Sequence, residues 1–454
     1  MSRRAKGEPV APEVLAQHWS AAGRIDEADR AWREAAHAAV ARSAFSEAES
    51  HYLRAIELLD ELPAGDARTK RELVLQLGLT DARQLARGFA AAETQEAAER
   101  ARSLSERITD PELRLHTLNS LWGTALSSGE IQSSAILADE LLRVASESGN
   151  EEMILRAHIA QAGVLYNLGR YDESRDHVRV VQTTPTAVLD RLLPASGHVQ
   201  AALYGGASAA LLGRCDEARR MLTLMRDAAE RPDADALGQF LFPVSASVVN
   251  LWLRNYAAVL ELTARLEEVG EQYGVPIFIG WARLYSGWAR AMTGDASGGI
   301  TRLSDGLAIH VNVGQRLGLN HSLSLLAEAQ IAAGRYDAAV ATIDDALALS
   351  DNAVQLQHTT ELRRLRGRVA AEVGADDEAE ALLRAALDEA ASGGAVLIEV
   401  RVATELLPVL ARTGRADEGR RLVTGALARM EGDALDRRIA EHALITLEET
   451  RAGS

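Results

Sequence analysis

The chain has 454 residues, 47% apolar and 25% charged, with 49 basic against 65 acidic side chains for a formal net charge of −16. This is a globular composition, and its acidity argues against a nucleic-acid surface. A single cysteine, Cys215, excludes an internal disulfide framework and CxxC metal chelation.

Only 5 Phe, 8 Tyr, 6 Trp and 10 Pro are present, while alanine recurs in almost every segment, so the chain reads as all-α. Residues 1–10 carry Arg3 and Arg4 with no hydrophobic run behind them and read as a disordered tail rather than a signal peptide. No apolar stretch is long enough to span a membrane, so the expected location is cytoplasmic. Residues 11–110 read as irregular helical repeats. The turn anchors Gly23 and Ser43 are too close for two full helix pairs, so one helix serves two repeats, a longer helix covers about 68–87, and 88–110 is a degenerate repeat around Gly88-Phe89.

From 111 to 430 the repeats become regular. The signature Gly-Arg-x-Asp starts at Gly169, Gly213, Gly334 and Gly414, with weaker copies at Gly129, Gly294 and Gly374. Arg254 holds the equivalent place without the glycine. From position 129 the anchors are spaced 40, 44, 41, 40, 40, 40 and 40 residues apart. Glycine ends a helix in the left-handed conformation, and the acidic residue three positions later suits the positive first turn of the next helix. Small residues recur seven positions before the anchor (Ala162, Gly206, Ser247, Gly287, Ala327, Gly367) and five after it (Ser174, Ala218, Gly299, Ala339, Ala379, Gly419). Each repeat is therefore an antiparallel helix pair whose backbones cross closely and which must stack on its neighbours. Pro63, Pro111, Pro185, Pro194, Pro232 and Pro276 mark joints, the longest being 182–196, and Pro408 falls inside a helix and predicts a kink. Residues 431–454 read as a capping amphipathic helix and tail.

This pattern of a small residue, a turn glycine and a second small residue resembles the tetratricopeptide repeat over roughly residues 11–430. Its period is about 40 rather than 34, and aliphatics fill most of the aromatic consensus positions. Both features are similar to the long-repeat solenoids of bacterial signalling ATPases, including maltose-responsive transcription activators and multidomain nucleotide cyclases. The resemblance implies a right-handed superhelical solenoid of antiparallel helix pairs, and a role in signalling or transcription regulation.

Catalytic signatures are missing. The only lysines, Lys6 and Lys70, do not sit in a P-loop, no HExxH occurs, and no serine, cysteine or carboxylate pair has a catalytic setting. The expected protein is not an enzyme and takes neither cofactor nor metal.

One feature stands out. Phe240, Phe242, Trp252, Tyr256, Tyr273, Phe278, Trp281, Tyr285 and Trp288 fall within 49 residues. In the tetratricopeptide pattern the first helix of each pair lines the concave face, at positions thirteen, ten, six, three and two before the turn glycine. Trp281, Trp288 and Trp252 fall on such positions, as do His321, Ser324 and Glu328, then Glu361, Arg364 and Arg368, and Arg401 beyond. The candidate binding residues are Trp252, Trp281, Trp288, His321, Arg364 and Arg368. As a groove they would offer aromatic contact area and arginines for carboxylates. The alternative is that the aromatics fill the core and that Arg364 and Arg368 pair with Glu361 and Glu372 on a solvated face. Three functions follow: a non-enzymatic scaffold for a protein or peptide, a small-molecule sensor, or an α/α-barrel enzyme, which would need the repeats to close and two carboxylates to meet. Unstacked terminal repeats also leave self-association open. Neither nucleic acid nor membrane is an expected partner.

Overall fold

The computed structural model describes residues 10–88, 91–108, 110–350 and 356–452. Most of the expected 1–10 tail, and Phe89, lie outside the described residues. The described chain is all-α, built of successive antiparallel helix pairs, with one isolated bridge between Arg214 and Glu431. None of the described helices is long and apolar enough to cross a membrane.

The turn anchors carry the helix reversals. Gly129, Gly169, Gly213, Gly294, Gly334, Gly374 and Gly414 all have positive φ. At Gly213 the geometry is explicit: its N–H bonds to the Ala210 carbonyl at 3.0 Å and that of Arg214 to Ala209 at 2.8 Å, satisfying the last carbonyls of the helix. Two anchors are not glycine: Ser43 (φ 61°) and Arg254 (φ 53°) adopt the same conformation, at roughly 1–2 kcal/mol of steric cost.

The small residues meet as their spacing implies. Ser174 Oγ donates to the Ala162 carbonyl at 2.8 Å across one pair. A methyl group on Gly287 would sit 2.7 Å from the Gly299 carbonyl oxygen, so these backbones touch. The joint at 182–196 is less irregular than expected, because Thr186–Leu192 forms a short helix between Pro185 and Pro194. Pro408 lies inside Val396–Arg412, and Pro243 lies inside Ala236–Trp252.

The chain divides into two compact units. The first comprises residues 1–157, 270–277 and 311–317. Its core gathers Trp32, Tyr52, Leu75 and Leu79, and buried Glu49 accepts from both Arg83 and Arg87 at 2.9 Å. The second comprises 158–269, 278–310 and 318–454 and holds every candidate site residue.

Within this second unit the stack returns on itself. The pair Ala195–Leu211 and Cys215–Ala229 shares one core with Val396–Arg412 and Ala416–Leu427, although these pairs are about 200 residues apart in sequence. At the seam the Glu431 N–H donates to the Gly213 carbonyl at 2.7 Å, and the Cys215 N–H donates to the Glu431 carbonyl at 3.2 Å.

Candidate functional site

Five helices of the second unit bring their inward residues to one place. Ala236–Trp252, Pro276–Met292, Leu319–Ala332, Leu356–Glu372 and Val396–Arg412 are the first helices of consecutive pairs. Residues at equivalent positions before each turn therefore face a common interior. They line a cavity of about 30 Å³, bounded by Leu251, Trp252, Trp288, His321, Ser324, Leu325, Glu328, Glu361, Arg364, Leu365 and Arg401. That volume holds one or two waters.

Of the candidate residues, Trp252, Trp288, His321 and Arg364 are on this wall. Trp281 and Arg368 are not. Trp281 is half-buried with its ring edge-on to His310, centroids 4.2 Å apart, and Arg368 is half-buried. The wall residues are not on a solvated groove: Trp252 is 3% exposed, Trp288 2%, His321 8% and Arg364 1%.

Burying arginine is costly unless each charge is compensated. Arg364 bonds Glu361 at 2.6 Å and Glu405 at 2.5 Å and lies 3.6 Å from Glu328. Arg401 bonds Glu361 at 2.9 Å, both carboxylate oxygens of Asp436 at 3.1 Å, and the Trp252 carbonyl at 2.8 Å. Arg254 bonds Glu328 at 2.7 Å and lies 3.2 Å from Asp436. Trp288 Nε1 donates to the second Glu328 oxygen at 2.8 Å. The solvated-face expectation for Arg364 is thus corrected: its pairing with Glu361 stands, but in the interior.

Proton affinities follow from this packing. Burial pushes the Glu328 carboxyl up, but Arg254, Arg364 and Arg368 outweigh it and hold it well below the usual range. Burial likewise opposes ionisation of Glu361, and Arg364 and Arg401 prevail. At Glu405 burial wins over Arg364 and its affinity is raised.

Aromatic rings stack at the wall, Trp252 and His321 lining it and His358 lying against His321. Trp252, His321 and His358 lie nearly parallel, with centroids 5.6 Å apart for Trp252–His321 and 4.7 Å for His321–His358. Burial lowers His321 to about 4 and His358 well below its ordinary value, so both imidazoles are neutral near pH 7. Trp252 Nε1 donates to the buried Tyr166 hydroxyl at 3.1 Å, and the Arg401 guanidinium lies 5.8 Å from the Trp252 ring centre.

Sequence reasoning missed Arg254, His358, Glu405 and Asp436. Arg254 had a signal, being an arginine where the regular turns carry glycine. The other three fall outside the counted positions, and Asp436 arrives from the start of the final helix, Leu435–Ala452. Chemically, the site has two carboxylates locked by guanidinium groups, two neutral imidazoles and two tryptophans around a water-sized space. Among the described residues no group of three or more His, Cys, Asp or Glu side chains is arranged to hold a metal.

No protein-family model matches the chain, and no curated protein matches it. Among solved structures, it is similar to a Rap protein complexed with competence and sporulation factor: 11% identical, TM-score 0.55, covering 85% of this chain and 99% of that one. It also aligns with NprR in complex with its cognate peptide NprX (12% identical, TM-score 0.44, 74% of this chain and 82% of that one). A signal transduction ATPase with numerous domains and a tetratricopeptide repeat sensor, from Pyrococcus horikoshii, aligns at 14% identity and TM-score 0.42, covering 88% of this chain and 54% of that one. The Rap likeness shows the fold: a tetratricopeptide-like stack of helix pairs.

Proposed function

We propose that the chain is a non-enzymatic regulatory module of bacterial signalling or transcription control, which binds a protein or peptide segment through the inward face of its second unit. One observation carries this reading. Residues counted from the turn anchors on successive first helices converge on one wall of aromatic and charged groups: Trp252, Trp288, His321, Glu328, Glu361, Arg364 and Arg401. A purely structural interior has no need of this wall's two arginines and two carboxylates, or of Arg254, Glu405 and Asp436 that pair with them, since apolar residues of similar volume are commonly as stable. A Rap protein of the same fold was solved with competence and sporulation factor, which accords with this reading without identifying a ligand.

The barrel-enzyme alternative gains the closure it required, and Glu328 and Glu361 meet inside. Both carboxylates are ion-paired to buried arginines, however, Glu328 to Arg254 and Glu361 to Arg364 and Arg401, which favours a structural or binding role for them. The small-effector reading would need the wall to open, because the present cavity of about 30 Å³ holds only one or two waters. Two measurements separate the binding readings. Affinity capture from the native host lysate compares wild type with Trp281→Ala and Arg368→Ala, both half-buried positions. Loss of a captured protein without loss of thermal stability supports the partner reading. A metabolite that raises the melting temperature of the purified chain, with no captured protein, supports the effector reading.

A further inference from the structure

A short segment crosses the seam at which the second unit returns on itself. Residues 428–434 connect Ala416–Leu427 to Leu435–Ala452 and lie across the turn that joins Ala195–Leu211 to Cys215–Ala229. Four kinds of contact hold them there. Glu431 exchanges backbone bonds with Gly213 and Cys215, making the isolated parallel bridge to Arg214. Arg219 donates to the Asp433 carbonyl. Met430 and Ala434 are each 4% exposed in the shared core. Gly432, at φ +79°, lies so close to the Asp216 carboxylate that an added methyl would be 2.7 Å from its Oδ1.

The same segment leads into Asp436, which is 4% exposed and bonds Arg401 while lying beside Arg254. The seam and the charged interior are therefore five residues apart on one chain. Glu431 and Asp433 at the seam are exposed, so this junction meets water while Asp436 does not. These contacts are the water-facing part of the seam, whose interior is the core shared by Ala195–Leu211 and Val396–Arg412. Local opening follows the weakest contacts.

We propose that residues 430–436 are a strap that closes the second unit around its inward wall, and that a partner reaches the wall only after the strap leaves the Gly213–Cys215 turn. Release frees the Arg214 edge, withdraws Asp436 from Arg401 and Arg254, and leaves two buried guanidinium groups short of a carboxylate. An acidic or carboxylate-bearing segment would then replace Asp436 with the same ion pairs. The significance of the strap rests on the inward-face reading above, but its existence does not, and the test needs no partner.

The experiment measures thiol labelling by Ellman's reagent in the full chain. Ser324 lines the cavity and is 6% exposed, so Ser324→Cys in a Cys215→Ser background gives one reporter thiol. Adding Gly432→Val strains the positive φ and collides with Asp216. Adding Gly414→Val strains a similar φ of +78° where nothing lies within 4 Å, and serves as the control. Arg219→Ala removes one strap bond at a surface site without backbone strain. Labelling is expected to rise roughly tenfold or more with Gly432→Val, by a smaller factor with Arg219→Ala, and little with Gly414→Val. A disulfide between Arg214→Cys and Glu431→Cys, the bridged pair, is expected to slow hydrogen exchange in Leu356–Glu372 on oxidation. Equal labelling in the Gly432 and Gly414 variants, or exchange unchanged by the disulfide, would overturn the strap. If the strap holds but no partner is captured, only the binding reading fails.

Discussion

Arg364→Met gives the sharpest test of the buried network. Arg364 is 1% exposed and is the ion-pair partner of Glu361 at 2.6 Å, Glu405 at 2.5 Å and Glu328 at 3.6 Å. Methionine keeps an unbranched apolar stem and deletes the charge. Glu361 and Glu328 retain Arg401 and Arg254, whereas Glu405 loses the guanidinium that opposes its burial. Removing one member of a buried pair costs about 3–5 kcal/mol, and 1.4 kcal/mol is a factor of ten, so opening should become at least ~100-fold more frequent. Hydrogen exchange of the Leu356–Glu372 and Val396–Arg412 amides reads this locally, which suits a chain of two compact units. The penalty should shrink as pH falls from 7 towards 5, because carboxyls that lose their guanidinium are pushed up by burial and escape by protonation. Glu405→Gln added to Arg364→Met should recover part of the loss. A change below fivefold, or a penalty independent of pH, would show that the arginine contributes packing rather than charge compensation.

Three further outcomes follow. The His321 imidazole is held down to about 4 by burial, against ~6.5 when unfolded, so its contribution is full above pH 6.5 and is lost as pH falls towards 4. His321→Phe should therefore flatten the stability difference over that window by up to about 3 kcal/mol, and parallel pH profiles for wild type and variant would refute this. Trp288→Phe removes the hydrogen bond to the Glu328 carboxylate and should cost roughly 1.5–3 kcal/mol in denaturant titration; a neutral result would mean that the bond is replaced. Gly287→Ala should cost about 1–3 kcal/mol, because the new methyl meets the Gly299 carbonyl, whereas exposed helical Gly425→Ala should stabilise by ~0.5–1 kcal/mol. The reverse order in melting temperature would contradict the crossing geometry.

The repeat architecture was legible because its determinants are local. A turn glycine needs a positive φ and a helix crossing needs a small side chain, and both recur at fixed spacing. The same register put His321, Ser324, Glu328, Glu361, Arg364 and Arg401 on one face, and the cavity wall contains all six, whereas Trp281 and Arg368, placed by the same count, lie off it. Their burial was not legible, because it depends on the stack returning on itself. That closure combines the core shared by Ala195–Leu211 and Val396–Arg412 with two backbone bonds at Glu431 and the fit of Gly432 against Asp216. Backbone bonds leave no trace in side-chain pattern, and Asp436 joins the network from beyond the last regular turn. Arg254 was half legible: its place in the turn was clear, but the reason for an arginine there appears only when its guanidinium reaches Glu328 and Asp436.

The most direct test of inward-face binding places a photo-crosslinking amino acid at position 281, in the full chain, within native host lysate. Position 281 is half-buried, edge-on to His310, and stands two turns before Trp288 of the cavity wall on the same helix. The account predicts one dominant adduct, reduced at least tenfold when Arg368→Ala is added and absent when the probe stands at Val373, which is 59% exposed outside the cavity wall. Adducts equally abundant at 281 and 373, or unaffected by Arg368→Ala, would contradict it.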